Sequence, residues 1–298
     1  MKKLFLTLTV PLYLASISCN SDDDNTVSTD ITPVLSQTIT GIEGPESVLL
    51  NTNDNLLYVS NQAGSTDGDG YISILDQSGT VINQKWATNL NDPKGMVIYN
   101  NKMYVGDTNG LVEISMTDGS ILQIYGEGQN LNDVAIDNDG NIYVSNMFTS
   151  AIYQLDTNGN FSEWLSGSDI QNPNGILIDG NTMYLAPWGT FTGNDFASAP
   201  PAPVLKVDLT TKAVSQLSKT TLGNLDGIQF NSTKTVLIVS DWISGKIYQV
   251  NLSDGSSQEI LDVKNTSQTF GGSGDILVNG SKLYIPMYLD NSILEYNI

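Results

Sequence analysis

The stretch NLNDVAIDNDGNIYVSN (130–146) reads as an apolar strand, a tight polar turn and a second apolar strand ending on Asn146. Its opening phrase recurs along the chain as GPESVLL (44–50), DPKGMVI (92–98), NLNDVAI (130–136), NPNGILI (172–178), NLDGIQF (224–230) and GSGDILV (272–278). Each copy leads into LLYVSN, KMYVGD, NIYVSN, TMYLAP, VLIVSD or KLYIPM. A third strand follows, such as GYISILD or SAIYQLD, and then a more variable fourth. Asp139-Gly140 and Asn279-Gly280 are hairpin signals between the first two strands. A strand-only repeat of about 40–50 residues cannot bury its faces alone, and copies arranged around an axis make a β-propeller. The expectation is an all-β fold, a six-bladed β-propeller of four-stranded antiparallel blades, spanning residues 34–298. The last copy ends at SILEYNI, one strand short. The strand-like run VLSQTITGI (34–42) is therefore expected to complete the sixth blade, closing the ring and removing exposed sheet edges.

Composition narrows the chemistry. The chain carries 32 acidic against 12 basic residues, and all twelve basic residues are Lys; Arg and His are absent. Nucleic acid is a poor partner for such a surface. Without His there is no serine triad of the usual kind, no His-ligated zinc and no His general base. A bound metal would be held by oxygens, which favours Ca²⁺, with another divalent cation as the alternative.

At the N-terminus, MKKLFLTLTVPLYLASISC places two lysines and a short apolar run interrupted by Pro11 before Cys19, the single cysteine. Residues 1–19 read as a secretion signal, too short to span a membrane. Cys19 resembles the acylation site of a bacterial lipoprotein, although Ser16 stands where that pattern has Leu. An ordinary signal peptide with an incidental cysteine is the other reading. The acidic run NSDDD (20–24) resembles the tag that sends some lipoproteins to the outer cell surface. Residues 20–33 are expected to form an acidic, Ser/Thr-rich tether. The localisation expected is a secreted lipoprotein of the outer membrane, exposed at the cell surface, touching the membrane only through its lipid and otherwise a monomer.

The third residue of each phrase is Glu46, Lys94, Asn132, Asn174, Asp226 or Gly274. Equivalent positions of a propeller face one axis, so Glu46, Asn132, Asn174 and Asp226 would bring two carboxylates and two amide oxygens to one level. That is a hard-oxygen set suited to Ca²⁺; a merely hydrated polar tunnel is the alternative. The turns between first and second strands are short, whereas 61–70, 186–203 and 262–274 are long and belong to the opposite face. Loops of that kind over a rigid scaffold carry function.

These phrases resemble the senescence marker protein/gluconolactonase/luciferin-regenerating-enzyme-like superfamily of six-bladed propellers, with diisopropyl fluorophosphatase and paraoxonase as wider relatives. The resemblance covers roughly residues 34–298. It implies a divalent metal held by a Glu opening the first repeat, the Asn of an N-D phrase (Asn132), the Asn of P-N-G (Asn174) and the Asp of D-G (Asp226). The family's E-G-P phrase literally matches Glu43, but counting back from Tyr58 selects Glu46. Two departures matter. Asn130 stands where the sugar-lactonase branch has Arg, and no His is available for the one used by the fluorophosphatase and paraoxonase branches.

The implied activity is hydrolysis of a lactone or ester, with a small neutral lactone, ester or sugar as the partner molecule. Asp226 is the candidate base, Lys94 a candidate for oxyanion or anion binding, and Asp133 a candidate for orienting a ligand or water. Lys94 pairing with Asp226 or Glu46, and Asp133 capping a strand, remain the structural readings. Asn132 is also a candidate for substrate contact. Phe148, Trp188, Trp242 and Tyr288, just beyond the second strands, are expected to rim the long-loop face as a substrate wall, or else to pack between blades. The rival function is a non-catalytic surface-binding propeller with structural Ca²⁺ and a glycan or polymer ligand.

Overall fold

The inner strands of each sheet have apolar neighbours on both sides, because each sheet stands between two others. The computed structural model describes residues 31–64, 66–193 and 195–298; the signal segment, Cys19 and residues 20–30 lie outside them. Six four-stranded sheets are formed, and every strand pair within them is antiparallel. Blade 1 comprises Pro45–Asn51, Leu56–Asn61, Gly70–Leu75 and Val81–Leu90, from the axis outward. The inner strands of blades 2 to 6 are Met96–Tyr99, Val134–Ile136, Pro173–Asp179, Leu225–Phe230 and Leu277–Asn279. In blade 6 the outermost place is taken by Val34–Ile39, paired with Ser292–Asn297 from Val34↔Asn297 to Ile39↔Ile293. The chain thus closes its ring with the first of its described strands, as expected from the shortened last repeat. The fold is an all-β propeller; its helical content among the described residues is three short 3₁₀ turns.

The core lies between blades. Tyr58, Ile72 and Ile74 of blade 1 pack with Met96, Met103 and Val105 of blade 2. Corresponding clusters join each later pair, and Val48, Leu57 and Val59 meet Leu277, Tyr284 and Ile293 where blade 6 returns to blade 1. Burial on both faces explains why Gly70–Leu75 is buried throughout and why the strands read as apolar runs with little alternation. The outer strands, such as Ile121–Tyr125, are half exposed.

The short turns demand a left-handed residue, and the sequence supplies one in each: Asn55, Asn100 with Asn101, Gly140, Gly180, Lys234 and Gly280. Five of the six turns use Asn or Gly, the residues that adopt this conformation at least cost.

Candidate functional site

At the third position of three phrases the inner strand slips register against its neighbour. The irregularities fall between Pro45 and Ser47, Pro173 and Gly175, and Leu225 and Ile228. A bulge leaves one residue unpaired and re-aims its side chain; here those residues are Glu46, Asn174 and Asp226. Their backbone is held from the second strand. Ser60 accepts from the Ser47 N–H at 2.9 Å and Ser240 from the Gly227 N–H at 2.8 Å. Small residues at the fourth position let neighbouring inner strands approach. A Cβ at Gly175 would collide with the Asp226 carbonyl, and one at Gly227 with the Ile276 backbone.

The result is a cavity of about 300 Å³ on the axis, lined by Glu46, Lys94, Asn132, Asn174 and Asp226 at its base. All five are buried. Asn174 donates from Nδ2 to Asp226 Oδ2 at 2.9 Å, which leaves its Oδ1 free. Asn132 spends its amide nitrogen on the Met147 sulfur at 3.5 Å, so its oxygen is likewise left for the cavity. Glu46 Oε2 and Asn174 Oδ1 are fully buried oxygens without a hydrogen-bond partner. Among the described residues no three acidic, His or Cys side chains converge as a metal cluster; the ring instead combines two carboxylates with two amides. Glu43 is exposed and does not line the cavity.

Burial dominates the electrostatics. It pushes the Glu46 carboxyl well above the usual range, and Asp226 and Asp275 add to the rise. Asp226 is raised by burial and by Asp275, against the bond from Asn174. Burial lowers the Lys94 ammonium, opposed by Glu46, Asp92, Asp107 and Asp226. Lys94 Nζ donates to the Asp92 carbonyl at 3.0 Å, and it is absent from the salt bridges among the described residues.

Asp133 sits apart from this cavity. Its Oδ1 accepts from the Val134 N–H and its Oδ2 from the Ile176 N–H of the next blade, both at 2.7 Å. It lines a second hollow of about 190 Å³ deeper along the inner strands, together with Asp275. Burial raises Asp133 well above the usual range and Asp275 to about 7, the latter against a bond from Ser47.

These shifts fix a pH dependence. A carboxyl with a raised folded-state pKa contributes stability below its unfolded pKa and loses it as pH rises through the folded value. For Asp275 that window runs from 3.8 to about 7. In chelator, the protein is expected to melt at a lower temperature at about pH 8 than at about pH 5. Thermal melts at the two values check this; a higher melting temperature at the alkaline value would refute it.

Above the ring the four expected aromatics, Phe148, Trp188, Trp242 and Tyr288, all line the cavity, with Met147 and Gln62 beside them. Phe196, from the long 186–203 connection, completes the wall and was not singled out from sequence. It packs 5.6 Å from Trp188 and 6.0 Å from Trp242, ring centre to ring centre. Phe270, from the 262–274 connection, backs the wall at 5.6 Å from Trp242. The second-strand ends Asp107, Asn146 and Asp241 cap the following turns: Asp107 accepts from Asn109, Asn146 from Phe148 and Asp241 from Ile243. Asn61 instead ties its amide to the Val59 carbonyl and Ser73.

Fold and site together define a six-bladed propeller with an oxygen-rich ring beneath an aromatic wall. Residues 45–277 match the family described as the SMP-30/Gluconolactonase/LRE-like region, and the chain belongs to that family. No curated protein sequence matches the chain. Among solved structures it is similar to the gluconolactonase XC5397 from Xanthomonas campestris (12% identity, TM-score 0.63, covering 90% of this chain and 95% of that one). It is also similar to virginiamycin B lyase from Staphylococcus aureus (13%, 0.62, 89% and 99%) and to a streptogramin B lyase (12%, 0.60, 89% and 97%). At such identities the likeness speaks for the fold alone.

Proposed function

We propose that the protein binds a divalent cation, Ca²⁺, through Glu46, Asn132, Asn174 and Asp226 and hydrolyses a lactone or related ester. The observation that carries the reading is the pair of buried, partnerless oxygens, Glu46 Oε2 and Asn174 Oδ1. An unpaired buried acceptor costs about 1–3 kcal/mol, and a hard cation satisfies both at once. When bound, such an ion supplies Lewis-acid polarisation of a carbonyl and acidifies water. The chain's own groups supply the rest. Asp226, held in orientation by Asn174, accepts a proton from water. Lys94, the cationic side chain lining the cavity, offsets negative charge on the bound substrate. Trp188, Phe196 and Trp242 exclude bulk solvent from the base of the cavity. Calorimetric titration with Ca²⁺ tests the first half of this reading; absence of binding by the intact protein overturns it.

The aromatic wall and the absence of His keep one rival in play, a surface-binding propeller whose Ca²⁺ is structural and whose ligand is a glycan or polymer. Turnover of small esters separates the two.

Cellular placement is part of the proposal. Among the described residues no helix is long and apolar enough to cross a membrane. The lone Cys19 behind an apolar run and ahead of NSDDD supports a lipid-anchored protein of the outer membrane. Mass spectrometry of the native protein is expected to find diacylglycerol on Cys19; an unmodified cysteine would rule the anchor out.

A further inference from the structure

The cavity is two-sided in chemistry. Blades 3 to 6 contribute an apolar side: Met147, Phe148, Trp188, Phe196, Trp242 and Tyr288. The Trp188 indole N–H is already spent on the Phe196 carbonyl at 2.9 Å, so this residue offers the cavity an apolar body without its donor. Trp242 is flanked by Trp188 at 5.8 Å, Phe196 at 6.0 Å and Phe270 at 5.6 Å, which fixes the wall as one packed unit. Blades 1 and 2 contribute Gln62 and Lys94.

Lys94 is the odd member of this inventory. It is 9% exposed, yet an ammonium carries three donors and a single hydrogen bond from it, to the Asp92 carbonyl, is present among the described residues. Two donors are therefore left at the cavity. A buried cation with unspent donors calls for an anion. The inference rests on the proposed Ca²⁺ reading, in which the ion takes up the carboxylates of Glu46 and Asp226 that otherwise act on Lys94.

A polyhydroxylated sugar lactone suits the Trp188 and Phe196 side of this cavity poorly, since each buried hydroxyl needs a partner and the one indole donor there is already spent. We propose that the substrate is an amphiphilic monoanion: an ester or lactone with an aromatic or branched apolar body and a free carboxylate. Lys94 holds the carboxylate, and the wall of Trp188, Phe196 and Trp242 holds the body. This replaces the neutral molecule that the family resemblance implies. A cavity of about 300 Å³ suits a body the size of one ring.

The test uses stable ketone probes that no hydrolase consumes. Benzoylbutyrate carries phenyl, carbonyl and carboxylate; its carboxamide lacks the charge, and acetylbutyrate lacks the ring. Each is titrated into the full-length, Ca²⁺-loaded protein, with tryptophan fluorescence as the readout because Trp188 and Trp242 line the cavity. Benzoylbutyrate is expected to bind about 10- to 100-fold more tightly than its carboxamide, the range for a hydrogen bond to a charged group, and more tightly than acetylbutyrate. Lys94→Met brings the first ratio close to one, whereas Lys94→Arg keeps most of it. Circular dichroism confirms that both variants are folded. Equal affinities in the unsubstituted protein, a ratio unchanged in folded Lys94→Met, or no binding of any probe at millimolar concentration would each overturn the inference. Repeating the titration in chelator separates it from the metal reading. Ca²⁺ binding without charge preference sinks the substrate assignment alone, and charge preference in a protein indifferent to Ca²⁺ sinks the metal reading alone.

Discussion

Ca²⁺ at a hundredfold excess over its Kd is expected to raise the melting temperature by about 5–10 °C. Binding to the native state alone contributes about 2.7 kcal/mol at that excess, and for a chain of this size each kcal/mol moves the midpoint by about 2–4 °C. The physical source is the buried oxygens without partners, Glu46 Oε2 and Asn174 Oδ1, beside the carboxyls of Glu46 and Asp226, both pushed up by burial. In chelator these groups are held as neutral acids or as repelling anions; with the cation both become ligands. Asp226→Ala is expected to erase the difference between loaded and chelated protein, because it removes a ligand and also frees the Asn174 amide that this ligand orients. The effect should grow with pH, as the metal-free protein loses the contribution of its neutral acids. A melt indifferent to Ca²⁺ at alkaline pH would mean that the ring holds water and nothing else.

Much of this architecture could be read from the chain, and the reason is geometric. A propeller imposes the same contacts on every blade, so the residues meeting those contacts recur. Gly175 and Gly227 follow ring residues because the next inner strand leaves no room for a Cβ. Ser60 and Ser240 recur because the bulged backbone needs an acceptor. The ring position is legible for the same reason: the bulge fixes where it points, and so the residue type is free to vary with chemistry. Two kinds of residue escape this logic. Phe196 and Phe270 lie in connections with no counterpart in other blades, and their place in the wall is set by packing on Trp242. Asp133 leaves two readings open, and its bonds match the capping one. Its neighbour Asn132 lines the cavity, but successive residues of an extended chain point to opposite sides, and its carboxylate turns to the Ile176 N–H of the next blade.

Hydrolysis, if the proposed function holds, carries the largest expected effect. A panel of aryl esters and lactones, with carboxylate-bearing members included, should show turnover that chelator abolishes. Loss of one electrostatic stabiliser costs about 10²–10³ in rate, so Asn132→Ala and Asp226→Ala should each lower kcat at least that far. Asp226 should fall further, because it combines ligand and base in one side chain and no His stands ready to replace it. Asp226→Asn distinguishes those two duties. It keeps an oxygen toward the cavity but cannot accept a proton, so a folded variant that still responds to Ca²⁺ yet does not turn over assigns the base to Asp226. A variant that retains more than a tenth of the activity would place the base elsewhere. Folded, Ca²⁺-responsive protein that hydrolyses nothing in the panel would instead favour the binding propeller, whose aromatic wall would then hold a ligand it does not cleave.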